Sequence, residues 1–197
     1  SKETDDYSME TWEEIALRLA GQAGIATPQH ELIDVAGKAV MLSRRFDRDG
    51  AIRIPFLSAM AMMGAKDGER GSYPEIVDAL AQNGAQGKTD AHALYRRVVF
   101  NVLISNVDDH LRNHGFLWLG KAGWSLSPAY DLNPVPTALK ARVLTTNIAL
   151  DECTCSLHLL ERASASLPPT PALTRPLITS GSTVPRPRCS TSNLHTP

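Results

Sequence analysis

No stretch of this 197-residue chain approaches the roughly 20 consecutive apolar residues that a bilayer-spanning helix needs. A dominant charge is missing too. The 20 Lys and Arg stand against 21 Asp and Glu, a formal net charge of −1, so no global field draws the chain to nucleic acid or to an anionic membrane surface. The three cysteines are an odd number. The polar, acidic opening Ser1-Lys2-Glu3-Thr4-Asp5-Asp6 has none of the apolar run of a signal peptide. A reducing cytoplasm is the compartment these features lead one to expect. Cys153-x-Cys155 with His158 falls short of a structural zinc site, which wants four ligands at recognisable spacing. No serine sits in a nucleophile-elbow context, which sets a Ser-His-Asp hydrolase aside. No internal repeat is visible.

One absence is local. Residues 164–197 contain no Asp, Glu or Lys, but seven Pro, six Ser and six Thr among 34 residues. Such a segment buries too little apolar surface to offset chain entropy and is expected to be disordered. The loss of acids and of helical patterning is abrupt enough to suggest an altered reading frame beginning near residue 163. The chain divides accordingly into a folded domain, 1–163, and a tail, 164–197.

Within the domain, Ser8 is placed to cap a helix whose first turns carry Glu10, Glu13 and Glu14, at the positive end of the dipole. Trp12, Ile15, Ala16, Leu19, Ala20 and Ala23 recur at helical spacing, and Gly24 stops the helix. Residues 27–35 and 39–46 read as a β pair around Ala36-Gly37-Lys38. Residues 55–63 form an apolar, helix-like run rich in Met, followed by a polar glycine-containing loop over 64–72. Tyr73-Pro74 opens a short helix. A longer one is expected from about Thr89 to Ser105, with Arg96 and Arg97 turned to solvent. A hairpin follows: Phe116-Leu117-Trp118-Leu119, a turn over 120–123, and Trp124-Ser125-Leu126. Residues 143–150 read as a strand and 151–161 as the start of a helix. The expected fold class is α+β and mostly helical.

Between the long helix and the hairpin lies Asn106-Val107-Asp108-Asp109-His110-Leu111-Arg112-Asn113, and beyond the hairpin Pro128-Ala129-Tyr130-Asp131-Leu132. Phosphoryl transfer by protein kinases uses an Asp, four residues, an Asn, and a later metal-binding Asp. Asp108, Asn113 and Asp131 have that pattern. A carboxylate must orient or accept the proton of the attacking hydroxyl. Magnesium takes oxygen ligands, commonly one or two carboxylates plus phosphate oxygens. Taken singly, each of these residues is also an ordinary turn or capping residue. The combination, set between two strongly apolar elements, is what points to chemistry.

These two runs, with Phe100-Asn101-Val102-Leu103-Ile104-Ser105 ahead of them, resemble the C-terminal domain of the HipA family of serine/threonine kinase toxins. There the loop reads roughly Asn-x-Asp-x-His-x-Lys-Asn and is followed by Pro-x-Tyr-Asp. The resemblance extends from Ser1 to about Glu161. It implies a protein-kinase-like C-lobe with a short hinge-side β element. Asp108 would be the catalytic base, with His110 and Arg112 supporting the loop and the γ-phosphate. Asn113 and Asp131 would be ligands of Mg2+. Arg112 stands where the family has Lys, which keeps the charge but changes reach and geometry. Backbone groups around Arg44 to Phe46 would meet the adenine of ATP and Asp47 the ribose. Glu13 matches a recurrent family Glu that pairs with a phosphate-binding Lys, a role Lys2 is poorly placed to fill. The expected partners are ATP, a protein substrate and a HipB-like DNA-binding antitoxin, with no direct nucleic-acid contact and no membrane. Two rival readings remain: a non-catalytic module that binds antitoxin or nucleotide, and a metal-dependent hydrolase using Asp108, Asp109, His110 and Asp131.

Overall fold

The computed structural model describes residues 8–136 and 142–164. The elements run in the order α1 Met9–Gln22, β1 His30–Val35, β2 Lys38–Ser43, β3 Arg48–Asp49, β4 Ile52–Arg53, β5 Phe56–Ser58, α2 Ala59–Met63, α3 Tyr73–Asn83, α4 Gly87–Ile104, β6 Gly115–Trp118, β7 Trp124–Leu126 and α5 Leu157–Ser164. Single 3-10 turns cover Leu111–Asn113 and Gly120–Ala122. The expected tail falls outside the described residues from 165 onward.

Ser8 caps α1 as its position suggests, accepting from the Thr11 N–H at 3.2 Å. Ser72 caps α3 in a full capping box, its hydroxyl facing the Glu75 N–H while the Glu75 carboxylate accepts from the Ser72 N–H. β1 and β2 form an antiparallel hairpin with Leu32 opposite Met41. β5, β6 and β7 form a three-stranded antiparallel sheet with Leu57 opposite Phe116 and Phe116 opposite Leu126.

Three expectations are corrected. The run 55–63 is not one helix. Its first half is β5, because Phe56 and Leu57 complete the sheet, and the chain turns helical only after the Ser58 cap. The region 143–150 makes isolated bridges rather than a sheet strand. Leu144 and Ile148 enter the core, and backbone N–H groups of the region go to Val107, Gly71 and Cys153 carbonyls. The long helix begins at Gly87 rather than at Thr89.

Two apolar clusters flank α4. Leu94, Val98 and Val102 pack with Ile76, Leu80, Phe116, Leu144, Ile148 and Leu160 on one side. Phe100 packs with Ala16, Leu17, Ala20, Ala129 and Leu132 on the other. The C-terminal end of α4 therefore emerges where both clusters meet, and the loop carrying Asp108 starts there.

Candidate active site

Helix α4 stops at Ser105, whose φ of 60° is left-handed and turns the chain sharply. The loop that follows is tied down at almost every residue. The Asn106 N–H donates to the Asn101 carbonyl at 2.9 Å, and the Val107 carbonyl accepts from both the N–H and the hydroxyl of Thr145. The Thr146 hydroxyl donates to the Asp109 carbonyl at 2.6 Å. This explains the fate of region 143–150: its polar groups serve the loop instead of a neighbouring strand.

Asp108 and Asp109 have opposite surroundings. Asp108 is exposed, while Asp109 is 2% exposed. The Tyr73 hydroxyl donates to Asp109 Oδ2, and His114 Nε2 faces the same oxygen at 3.1 Å. Burial alone would push the Asp109 carboxyl up, but His114, Tyr73 and the Asn101 amide outweigh it and hold it below the ordinary value. Burial and the neighbouring carboxylate push the Tyr73 phenol well up. Asp109 is thus engaged on its buried side, which removes it from the ligand set that the hydrolase reading requires. Among the described residues, no group of three His, Cys, Asp or Glu is arranged to hold a metal.

Asn113 donates its amide N–H to the Asp108 carbonyl at 3.2 Å, leaving its side-chain oxygen as the acceptor end. Asp131 is half-buried, with a left-handed φ of 56° that a non-glycine residue adopts only when its neighbours hold it there. Its carboxylate accepts from the Asn133 amide. The two segments are joined by the Tyr130 hydroxyl, which donates to the Arg112 carbonyl at 2.6 Å. One amide oxygen and one carboxylate, on segments pinned together one residue away from each, fit the sparse oxygen set that magnesium uses.

Glu13 of α1 lies close enough to Asp131 to feel its charge and its backbone dipole. Burial first, and then the Asp131 charge, raise its carboxyl above the ordinary value. Tyr130 is pushed up to about 12, chiefly by burial.

The other residues singled out in the sequence are placed as follows. His110 is half-buried, and its Nδ1 is buried without a partner. Arg112 is exposed and pairs with Asp67 of the 64–72 loop. The Arg44 guanidinium donates to the Gln29 side chain at 3.1 Å, and its backbone N–H to the Gln29 carbonyl at 2.8 Å. The Phe46 ring lies 5.6 Å from Tyr130 and 6.1 Å from Phe56, so it packs directly beside the Asp131 turn. Asp47 is held by Arg45 at 2.6 Å and by Arg48 at 2.8 Å. The Arg45 bond and the two cations hold its carboxyl below the usual range. Arg97, expected in solvent, is 3% exposed and donates to the Ser127 carbonyl at 2.7 Å, whereas Arg96 does lie at the surface. Sequence reading missed Tyr73 and His114 as partners of Asp109. Tyr73 lies 36 residues away and gives no local signal.

A helical body, small antiparallel sheets and this loop make up a mixed α+β fold. The fold matches a chain of the Shewanella oneidensis MR-1 toxin–antitoxin complex of HipA, HipB and operator DNA, with a TM-score of 0.67 and 18% identity over 83% of this chain and 45% of that one. It also matches the Helicobacter pylori proinflammatory kinase CtkA, with a TM-score of 0.55 and 16% identity over 66% of this chain and 48% of that one. The chain belongs to the HipA-like C-terminal domain family, whose sequence pattern matches residues 2–176. A kinase-named protein of Haemophilus influenzae is 25% identical over 152 residues, 67% of this chain and 44% of that protein. Another, of Sinorhizobium fredii, is 30% identical over 133 residues, 59% of this chain and 32% of its own length. The chain spans less than half the length of these curated relatives. No helix among the described residues is long and apolar enough to cross a membrane.

Proposed function

We propose that this chain carries the catalytic loop and metal site of an ATP-dependent serine/threonine protein kinase of a toxin–antitoxin system. The observation that carries the reading is the Tyr130–Arg112 bond. It brings the turn of Asp131 against the turn of Asn113, beside the exposed Asp108.

In the proposed transfer, Asp108 accepts a hydrogen bond from the substrate hydroxyl and takes its proton as that oxygen attacks the γ-phosphorus. The bond from the γ-phosphorus to the bridging oxygen breaks, and ADP leaves. The Asn113 oxygen and the Asp131 carboxylate would hold magnesium, which when bound neutralises charge on the phosphates. His110 supports the loop. Arg112 reaches the γ-phosphate by exchanging its exposed partner Asp67, and the balance between the two is small because surface ion pairs are weak. Backbone groups from Arg44 to Phe46 meet adenine, with Asp47 toward the ribose. The protein partner is a HipB-like DNA-binding antitoxin, so any contact with DNA is indirect.

One observation favours a second reading, a non-catalytic module that binds nucleotide or antitoxin. Asp47 and Arg112, both assigned to ATP, are already engaged by Arg45, Arg48 and Asp67.

Calorimetric titration with Mg-ATP, on the parent and on Asp131→Ala, tests the kinase reading. Magnesium-dependent binding in the parent that disappears in the variant supports it, and a γ-phosphate transfer assay then separates it from the second reading. A folded parent that binds no Mg-ATP overturns it.

A further inference from the structure

Helix α4 carries three buried polar residues, Asp90, Arg97 and Asn101, in the stripe of Leu94, Val98 and Val102. The spacings of seven and four place them on one helix face. Asp90 accepts from the Ser125 hydroxyl and from the Leu126 N–H, both at 3.1 Å. One turn pair further along, Arg97 donates to the Ser127 carbonyl at 2.7 Å. The helix thereby grips three consecutive residues where β7 leaves the sheet.

Arg97 is an unusual choice for that contact. It is 3% exposed, and its Nε and NH1 groups have no protein partner. A buried cation with donors left over is retained only where its position matters, since an apolar residue would pack there at lower cost. Its surroundings indicate what it serves. Asp109, Tyr130, Tyr73 and Asp90 all lie within its electrostatic reach, the first being the strongest. Arg97 therefore faces the Asp109 side of the loop through its charge and the approach to Asp131 through its hydrogen bond.

The segment from Ser127 to Asp131 has one clamp at nearly every residue. The Ser127 N–H goes to the Gly115 carbonyl at 2.8 Å, and the Ala129 N–H to the Ala26 carbonyl at 2.7 Å. Tyr130 reaches the Arg112 carbonyl, and the Asn133 amide donates to the Asp131 carboxylate. A Cβ at Gly115 would lie 2.3 Å from the Phe56 ring and 2.9 Å from the Ser127 hydroxyl, so a larger residue there would have to push the ring or the hydroxyl aside. Among these clamps, Arg97 is the charged one on the buried side.

Taking Asp131 as the magnesium ligand of the proposed function, we propose that Arg97 is a positioning residue. It fixes the 127–131 segment, and so the Asp131 carboxylate, without touching metal or nucleotide.

The test uses the full chain with Arg97→Met and Arg97→Lys. Hydrogen exchange resolved by peptide reports on residues 127–132, with the β1–β2 hairpin as the internal reference. Calorimetry reports nucleotide binding across a range of magnesium concentrations. In Arg97→Met, residues 127–132 should exchange faster while the hairpin is unchanged. The magnesium requirement for ATP binding should rise by about 10–100-fold, the usual consequence of removing a group that orients a metal ligand. Arg97→Lys, which keeps the charge without the fork, should fall between. If Arg97→Met does not fold, Arg97→Lys is judged by the same two readouts.

Unchanged exchange over 127–132 in a folded variant overturns the proposal. So does an increase spread evenly over every peptide, which would mark Arg97 as merely stabilising. A parent that binds no Mg-ATP defeats the kinase reading instead, and the exchange pattern still decides whether Arg97 holds the segment.

Discussion

Two regions of this domain are built on opposite terms. From Asn101 to Phe116 most residues are buried, including the polar Asn101, Asn106, Asp109, Asn113 and His114. From Gln29 to Ser58, a stretch that includes the β1–β2 and β3–β4 hairpins, no residue is buried. Val35 is 50% exposed, Leu42 49% and Ile52 66%. The loop region is organised by its own chain, through contacts that reach back to α1, α3 and region 142–148. The hairpins are two-stranded sheets, which are marginal without a third strand or a covering layer. The loop from Asn101 to Phe116 is thus fixed by its own contacts, whereas Arg44 to Asp47 sit on the less supported half.

The contrast is most severely tested at Asp109. Asp109→Ala leaves Arg97 buried without its strongest neighbouring counter-charge and His114 and Tyr73 without their shared hydrogen-bond partner, and should lower stability by about 3–5 kcal/mol. Urea unfolding followed by tryptophan fluorescence would measure it. A loss below about 1 kcal/mol would mean that the loop is not held through this carboxylate.

The same group sets a pH dependence. Its folded pKa lies below the ordinary value, so its stabilising effect is complete above the unfolded pKa of about 4 and is lost as pH falls through the lower folded value. The urea midpoint of the parent should therefore drop as the pH falls below about 5, and Asp109→Asn should flatten that drop. An equally steep decline in the variant would assign acid sensitivity to other carboxylates.

A milder change is Tyr73→Phe. It deletes one donor to a buried carboxylate while keeping the ring against His114, 5.4 Å away. The expected loss is about 1–3 kcal/mol. In a double-mutant cycle with Asp109→Asn, the two losses should fall short of additivity, because the pair shares one bond.

How much of this was legible in the sequence follows the same division. The 106–113 loop and the turn at Asp131 were readable as polar breaks between apolar elements, because residue type and spacing are local properties. Helices α1 and α3 were readable from caps and periodicity. Region 143–150 read as a strand because Val143, Leu144, Thr145 and Thr146 favour extended backbone. Its hydrogen bonds go to a loop far back in the chain, and no local pattern reports that. The split of 55–63 into strand and helix depended on β6, another distant partner. Arg97 was missed by treating a charge as solvated. Its place on the apolar stripe of Leu94, Val98 and Val102 was visible at helical spacing and should have argued for burial.

The smallest change expected is on the outer face of the β1–β2 hairpin. Leu32 and Met41 are an opposed pair, and Met41 packs against the α1 cluster. By alternation, Val35 and Leu42 point to the opposite face. Replacing either by Thr keeps β-propensity and removes only exposed apolar surface, so stability should change by no more than about 0.5 kcal/mol. A loss near 1.5–3 kcal/mol would be the signature of full burial instead. Association between molecules is one way to bury that face, and dilution tests it. Sedimentation at several concentrations would then show a mass that falls on dilution in the parent and not in Leu42→Thr. A small loss with no concentration dependence would leave the hairpin as a solvent-facing element, and the contrast with the buried loop would stand as a property of the single chain.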